Sequence, residues 1–191
     1  MDRTDDDAAV AMARDGDADA YEALVARYTA VAHRTAVLFG AGDEADDVVQ
    51  EAFVKSYRAL RGFRTGERFR PWLLQIVVNE TRNLHRSRRR RSGLEGRLAA
   101  VLAPDLAEID PPDAAVIERE RAAALLSALR SLPDRDRQVV TCRYLLDLSE
   151  AETAEVLGWP KGSVKSRLSR ALGRLQAALT SLGDREVVAD G

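Results

Sequence analysis

The sequence predicts an all-α fold of two small helical domains joined by a flexible linker. Ala, Leu, Arg, Glu and Asp dominate its 191 residues and aromatics make up only 5%, a balance that favours helices over strands. Apolar residues recur at helical rather than alternating spacing through most of the chain. Between the two patterned regions, Gly93, Gly96, Pro104, Pro111 and Pro112 interrupt a stretch that turns acidic. The expected organisation is a first domain at 1–91, a linker at 92–112, a second domain at 113–182 and a disordered tail at 183–191.

Taken in order, Asp5 to Arg14 suits a short acidic helix around Val10, broken by Gly16. Asp17 or Asp19 can cap the next helix, where Tyr21, Leu24, Val25, Tyr28, Val31, Ala32 and Leu38 keep a helical period up to Phe39. A third helix is expected over 43–60, burying Val48, Val49, Ala52, Phe53, Tyr57 and Leu60. Its N-terminal half carries Asp43, Glu44, Asp46, Asp47 and Glu51 with no Lys or Arg before Lys55. Three explanations stay open: a favourable interaction with the helix macrodipole, Asp43 and Asp47 sharing a Mg²⁺, or a protein partner with a basic or polar surface.

A basic loop at 62–68 leads into a fourth helix over 69–90, with Trp72, Leu73, Ile76, Val77 and Leu84 inward. Its outer face offers Arg68, Gln75, Asn79, Arg82, Asn83 and Arg86, and six arginines fall within 82–91. Aromatics interleaved with Arg and Asn (Phe63, Phe69, Trp72) suit an unstacked nucleic acid strand, although Phe69 and Trp72 also suit a core, which for Trp72 is the better reading. After the linker, in which 94–102 can form a transient helix, Pro111 and Pro112 open a helix with Val116, Ile117, Leu125, Leu126 and Leu129 for packing. It ends at Leu132–Pro133. Asp134 starts another, through Val139, Val140, Tyr144 and Leu145.

The stretch 149–175 is the most informative. Ser149 and Glu152 have capping-box spacing, Gly158 is a natural helix stop, and Pro160 suits the first position of a second helix. There Val164, Leu168, Ala171 and Leu175 form a stripe for burial, while Gly162, Ser166, Ser169 and Gly173 fall opposite, flanked by Lys165 and Arg170. Lys161, Arg167 and Arg174 lie nearer the buried edge. Five Lys or Arg and no acid fall between 160 and 174. This is a helix-turn-helix pattern, with small residues to approach base edges and cations to reach phosphates. An amphipathic hairpin with a solvated basic face has the same spacing.

The net charge of −2 conceals opposite blocks: seven Asp against two Arg in 1–19, and the arginine run at 82–91. Such blocks indicate separate surfaces for separate partners. Cys142 is the only cysteine, so no intramolecular disulfide exists, and His33 and His85 have no zinc spacing. Without a signal peptide or a membrane-length apolar run, a cytoplasmic location is expected. No nucleophile–base pair, P-loop or dinucleotide fingerprint appears, so neither an enzyme nor a cofactor is expected.

Three stretches together resemble a bacterial sigma factor of the extracytoplasmic-function group, the minimal sigma-70 class with regions 2 and 4. They are DEADDVVQEAFVKSYRAL at 43–60, FRTGERFRPWLLQIVVNETRN at 63–83 followed by the arginine run, and LPDRDRQVVTCRYLLDLSEAETAEVLGWPKGSVKSRLSRAL at 132–172. The resemblance implies that Asp46, Asp47, Gln50 and Glu51 meet the β′ clamp of core RNA polymerase. It places Phe63, Arg64, Arg68 and Phe69 at a flipped −10 base, and Asn79, Arg82, Asn83 and Arg86 along the strand-separating helix. Lys161, Ser163, Lys165, Ser166, Arg167 and Arg170 would meet the −35 duplex. It also implies contact with the β subunit, a linker threading into the polymerase channel, and room for an anti-sigma protein as a further partner. Asp147 stands where the family often has Gly, and an Asp tolerates a left-handed turn. Thr153 stands where Ile is typical, which predicts looser packing. Asn83 replaces a frequent Asp, and Glu80 sits on a helix usually more apolar there. The alternative function is a stand-alone helix-turn-helix regulator whose first domain senses a ligand or dimerises.

Overall fold

The computed structural model describes residues 3–64, 66, 68–94, 116–160 and 162–189. Among these, every regular element is helical. In chain order they are α1 (Arg3–Arg14), α2 (Ala18–Leu38), α3 (Ala45–Ala59), α4 (Phe69–Leu94), α5 (Val116–Ser131), α6 (Asp134–Val140), α7 (Glu150–Leu157) and α8 (Ser163–Ala189). Short 3₁₀ turns at Gly42–Glu44 and Leu60–Gly62 flank α3, and a π turn, Thr141–Leu145, follows α6. The chain divides into two compact units. The first holds α1 to α4 together with Glu155–Gly158; the second holds α5, α6, α8 and the rest of α7.

In the first unit Asp17 caps α2, its carboxylate accepting from the Ala20 N–H at 3.1 Å. The core joins Val10 and Ala13 of α1, Leu24, Tyr28 and Ala32 of α2, Val48, Val49, Ala52 and Phe53 of α3, and Leu73 and Val77 of α4. The acidic α1 is fixed by more than its apolar side, because the Asp6 carboxylate accepts from both Arg27 and Tyr28. Burial, then the bond to Asp6, raises the Tyr28 phenol above its ordinary pKa.

Two expectations change here. Tyr57 is 46% exposed rather than buried. It stands about 40° round the helix from Phe53, at the edge of the apolar stripe, and packs on the Tyr21 ring at 4.8 Å. Phe63, expected in an open loop, is 7% exposed. Its ring meets Trp72 at 4.9 Å and Phe69 at 6.2 Å, and Phe69 meets Tyr28 at 5.4 Å. These edge and tilted contacts tie the entrance of α4 to the core.

In the second unit Val139, Val140, Cys142, Leu146 and Leu148 are buried with Ala128, Leu129 and Leu132. Tyr144, expected within the helix that Asp134 opens, is exposed. It lies within the π turn, where Leu146 N–H reaches back five residues to the Thr141 carbonyl at 3.0 Å. Leu125 is also exposed, because the apolar run 122–126 has no polar residue to fix its phase.

Asp147 adopts φ +50, the left-handed turn expected of it. Pro160 does not start α8. Its carbonyl instead accepts from Ser163 N–H at 2.9 Å and Ser163 Oγ at 2.8 Å, closing a turn before the helix. At the other end α8 runs through Gly183 to Ala189, where order was expected to end. A single glycine costs a helix only about 1 kcal/mol, and helix-tolerant residues follow it. The 95–102 part of the expected transient helix and the Pro111–Pro112 start lie outside the described residues.

Candidate protein- and nucleic-acid-binding surfaces

Helix α3 is divided lengthwise. Val48, Val49, Ala52 and Phe53 point into the core, while Asp46, Asp47, Gln50 and Glu51 are exposed. The Asp46 side chain is 92% exposed, with His33 Nε2 3.4 Å away. Glu51 lies 3.2 Å from Lys55, whose ammonium also donates to Glu80 at 2.6 Å; these bonds, Glu80 foremost, raise the Lys55 pKa. Beside Gln50 opens a groove of about 540 Å³ lined by Tyr21, Val25, Phe53, Val54 and Tyr57. The face is therefore an acidic ridge bordering an apolar hollow. Among the described residues no group of three or more His, Cys, Asp or Glu side chains is placed to hold a metal ion, so Asp43 and Asp47 have no further ligand of that kind.

The basic loop and α4 present a second surface. Arg64 and Arg68 are exposed, whereas Phe63 and Phe69 are core residues whose rings are spent on each other, Trp72 and Tyr28. Asn79, Asn83 and Arg86 are exposed and Arg82 is half-buried, all on one helical face. They form a ladder: Arg82 donates to Asn79 at 3.3 Å, Arg86 donates to the Asn83 carbonyl oxygen, and Asn83 donates to Glu80 at 3.1 Å. Glu80 thus links the ladder to Lys55. The arginine run does not act as one block. Arg88 is tied to the Ala41 carbonyl and Glu44, and His85 Nε2 lies 3.2 Å from the Phe39 carbonyl. No local pattern distinguishes Arg88 from its neighbours, so this pairing was not legible from the residues alone.

The third surface is built by α7, its turn and α8. The capping box forms as its spacing requires: Glu152 N–H donates to Ser149 Oγ at 3.2 Å, and Ser149 N–H to the Glu152 carboxylate at 2.8 Å. Gly158 turns the chain at φ +68, which a side chain would strain. On α8, Val164 and Ala171 are fully buried, and Leu168 and Leu175 are half-buried. Lys165, Ser166, Ser169, Arg170 and Gly173 are exposed, and the positions a Cβ would take at Gly162 and Gly173 meet nothing within 4 Å. Ser163 is half-buried against Pro160, and Lys161 lies outside the described residues. Arg167 is at the inner edge, its guanidinium 5.4 Å from the Trp159 ring centre and 3.3 Å from Asp136.

The chain matches the sigma-70 region 2 family over residues 20–91 and the sigma-70 region 4 family over 122–175. It is 31% identical to the ECF RNA polymerase sigma-E factor of Haemophilus influenzae over 171 residues, covering 87% of this chain and 90% of that one. It is 35% identical to the RNA polymerase sigma factor CnrH of Cupriavidus metallidurans over 174 residues, covering 88% and 91%. The chain belongs to the sigma-70 family, as an ECF sigma factor. A solved structure of CnrH in complex with the cytosolic domain of CnrY superposes with a TM-score of 0.67 at 29% identity, covering 93% of this chain and 98% of that one. In this sigma factor the acidic ridge and the Asn/Arg ladder both belong to region 2, and the helix-turn-helix belongs to region 4. Helix α1 precedes the region 2 match yet supplies Val10 and Ala13 to its core. Membership of the family decides against a stand-alone regulator. Among the described residues no helix is long and apolar enough to cross a membrane.

Proposed function

We propose that this sigma factor binds core RNA polymerase through Asp46, Asp47, Gln50 and Glu51, and that its two basic surfaces then direct promoter recognition and opening. The observation that carries the reading is α3: four polar side chains stand exposed beside an apolar groove, on a helix whose other face is core. Charge complementarity at such a ridge orients a partner and excludes wrong ones, while the groove supplies area to bury.

On the DNA side, Arg64 and Arg68 with the ladder Asn79, Arg82, Asn83 and Arg86 suit a separated −10 strand. Cations follow the backbone there and amides read unpaired base edges. Phe63 and Phe69 support that surface from beneath. Lys161, Ser163, Lys165, Ser166 and Arg170 suit the −35 major groove, where small residues allow close approach. The protein acts by binding and carries out no covalent chemistry, and it works in the cytoplasm with its polymerase. The relative CnrH is solved in complex with the cytosolic domain of CnrY; an anti-sigma protein of this chain would compete for these surfaces.

Pairing Asp47→Arg with Glu51→Arg tests the reading. Like-charge juxtaposition at an interface costs several kcal/mol, enough to abolish retention of core polymerase in a pull-down. Both positions are exposed, so helicity by circular dichroism stays at the wild-type value. Unchanged polymerase affinity in the folded variant would overturn the assignment.

A further inference from the structure

The Asp136 side chain is 3% exposed, and each of its carboxylate oxygens is taken by a different arginine of α8. Arg167 Nη1 lies 3.3 Å from Oδ1, and Arg174 Nη1 donates to Oδ2. The two arginines are seven residues apart, two turns along one edge of the helix. They are two of the five cations between 160 and 174. Arg167 is further held by Trp159, whereas the Arg174 side chain is 55% exposed and is turned inward by its bond to Asp136.

We propose that Asp136 is a positioning residue that withholds Arg167 and Arg174 from DNA phosphates and so restrains sequence-independent binding by α8. The inference rests on α8 being the duplex-reading helix. Phosphate contacts carry no sequence information, and each added one raises affinity for every duplex alike. A buried carboxylate that holds two edge cations leaves the outward face to Lys165, Ser166, Ser169 and Arg170, which are exposed in the first two turns of the helix. The resemblance to the family placed Arg167 on the −35 duplex; the geometry points to an indirect role.

The test uses the full chain and a short duplex of arbitrary sequence, with affinity measured by fluorescence anisotropy across a salt series. Asp136→Asn should bind more tightly at low salt, with a slope of log affinity against log salt steeper by about 0.9 per released arginine. Arg174→Met alone should leave the slope at its wild-type value, and combining it with Asp136→Asn should remove part of the gain. Asp136→Glu, which keeps the charge, should stay near wild type. A gain of affinity and slope is not what damage to packing produces. A wild-type slope in folded Asp136→Asn overturns the inference. Should Asp136→Asn fail to fold, Arg174→Met decides: an unchanged slope supports the inference, and a slope shallower by about one unit overturns it. Duplex binding without salt dependence in the wild type would instead overturn the assignment of α8, and the inference with it.

Discussion

Thr153 is fully buried, and among the described residues its hydroxyl has no hydrogen-bond partner. An unpaired buried hydroxyl costs about 1–3 kcal/mol, and valine has nearly the same shape without it. Thr153→Val should therefore raise the thermal midpoint of the full chain by several degrees, followed by circular dichroism; a lower midpoint would show the hydroxyl to be satisfied. The resemblance to the family marked this position, where Ile is typical and looser packing was expected. Tyr28 was legible only as a core aromatic, because Asp6 lies on another helix. Its phenol is raised above the ordinary value, first by burial and then by the bond to Asp6. The unfolded chain loses that proton near pH 10 while the folded chain keeps it. The contribution is thus complete below about pH 10 and declines as pH rises towards the folded-state pKa. Tyr28→Phe should lower stability at neutral pH by about 1.5–3 kcal/mol, the range for a bond to a charged group, and flatten the alkaline limb of stability against pH. Tyr21, also raised by burial, leaves some slope behind. An alkaline limb as steep as in wild type would refute the assignment.

Elements defined by local chemistry followed the sequence closely: the Asp17 cap, the Ser149/Glu152 capping box, the Gly158 turn and the α8 stripe each depend on residues within four positions of one another. Elements defined by tertiary contact did not. Tyr144 lies within the π turn after α6 and faces out. The loop between α3 and α4 looked like a basic flap carrying a spare aromatic, because sequence spacing reveals neighbours along the chain but not the ring packed above. Phe63 in fact fills the space between Trp72 and Phe69. Phe63→Ala should cost about 3–5 kcal/mol of stability, as phenylalanine truncations in cores do. Denaturant unfolding of the full chain measures it. A loss below 1 kcal/mol would return Phe63 to the set of side chains free to stack on a base.

Across the whole molecule, a net charge of only −2 separates into an acidic ridge on α3 and basic faces on α4 and α8. On the function proposed above, a protein near neutrality overall relies on local fields to sort its partners, with polymerase at the ridge and nucleic acid at the basic faces. The division makes polymerase binding and promoter opening separable by mutation. Arg64 and Arg86 are exposed, and neither belongs to the acidic ridge or the core. Replacing both with alanine should leave polymerase retention and closed-complex formation near wild type. Opening should slow by about tenfold or more, because the separated strand loses two cations while unpairing still costs a few kcal/mol. A template already unpaired across the −10 region removes that cost, so it should largely restore initiation. Permanganate footprinting on duplex and pre-melted promoters, with the full chain bound to core polymerase, distinguishes the outcomes. Normal duplex opening would remove both arginines from the −10 surface, and failure of the pre-melted template to rescue a folded variant would place their role after opening rather than in it.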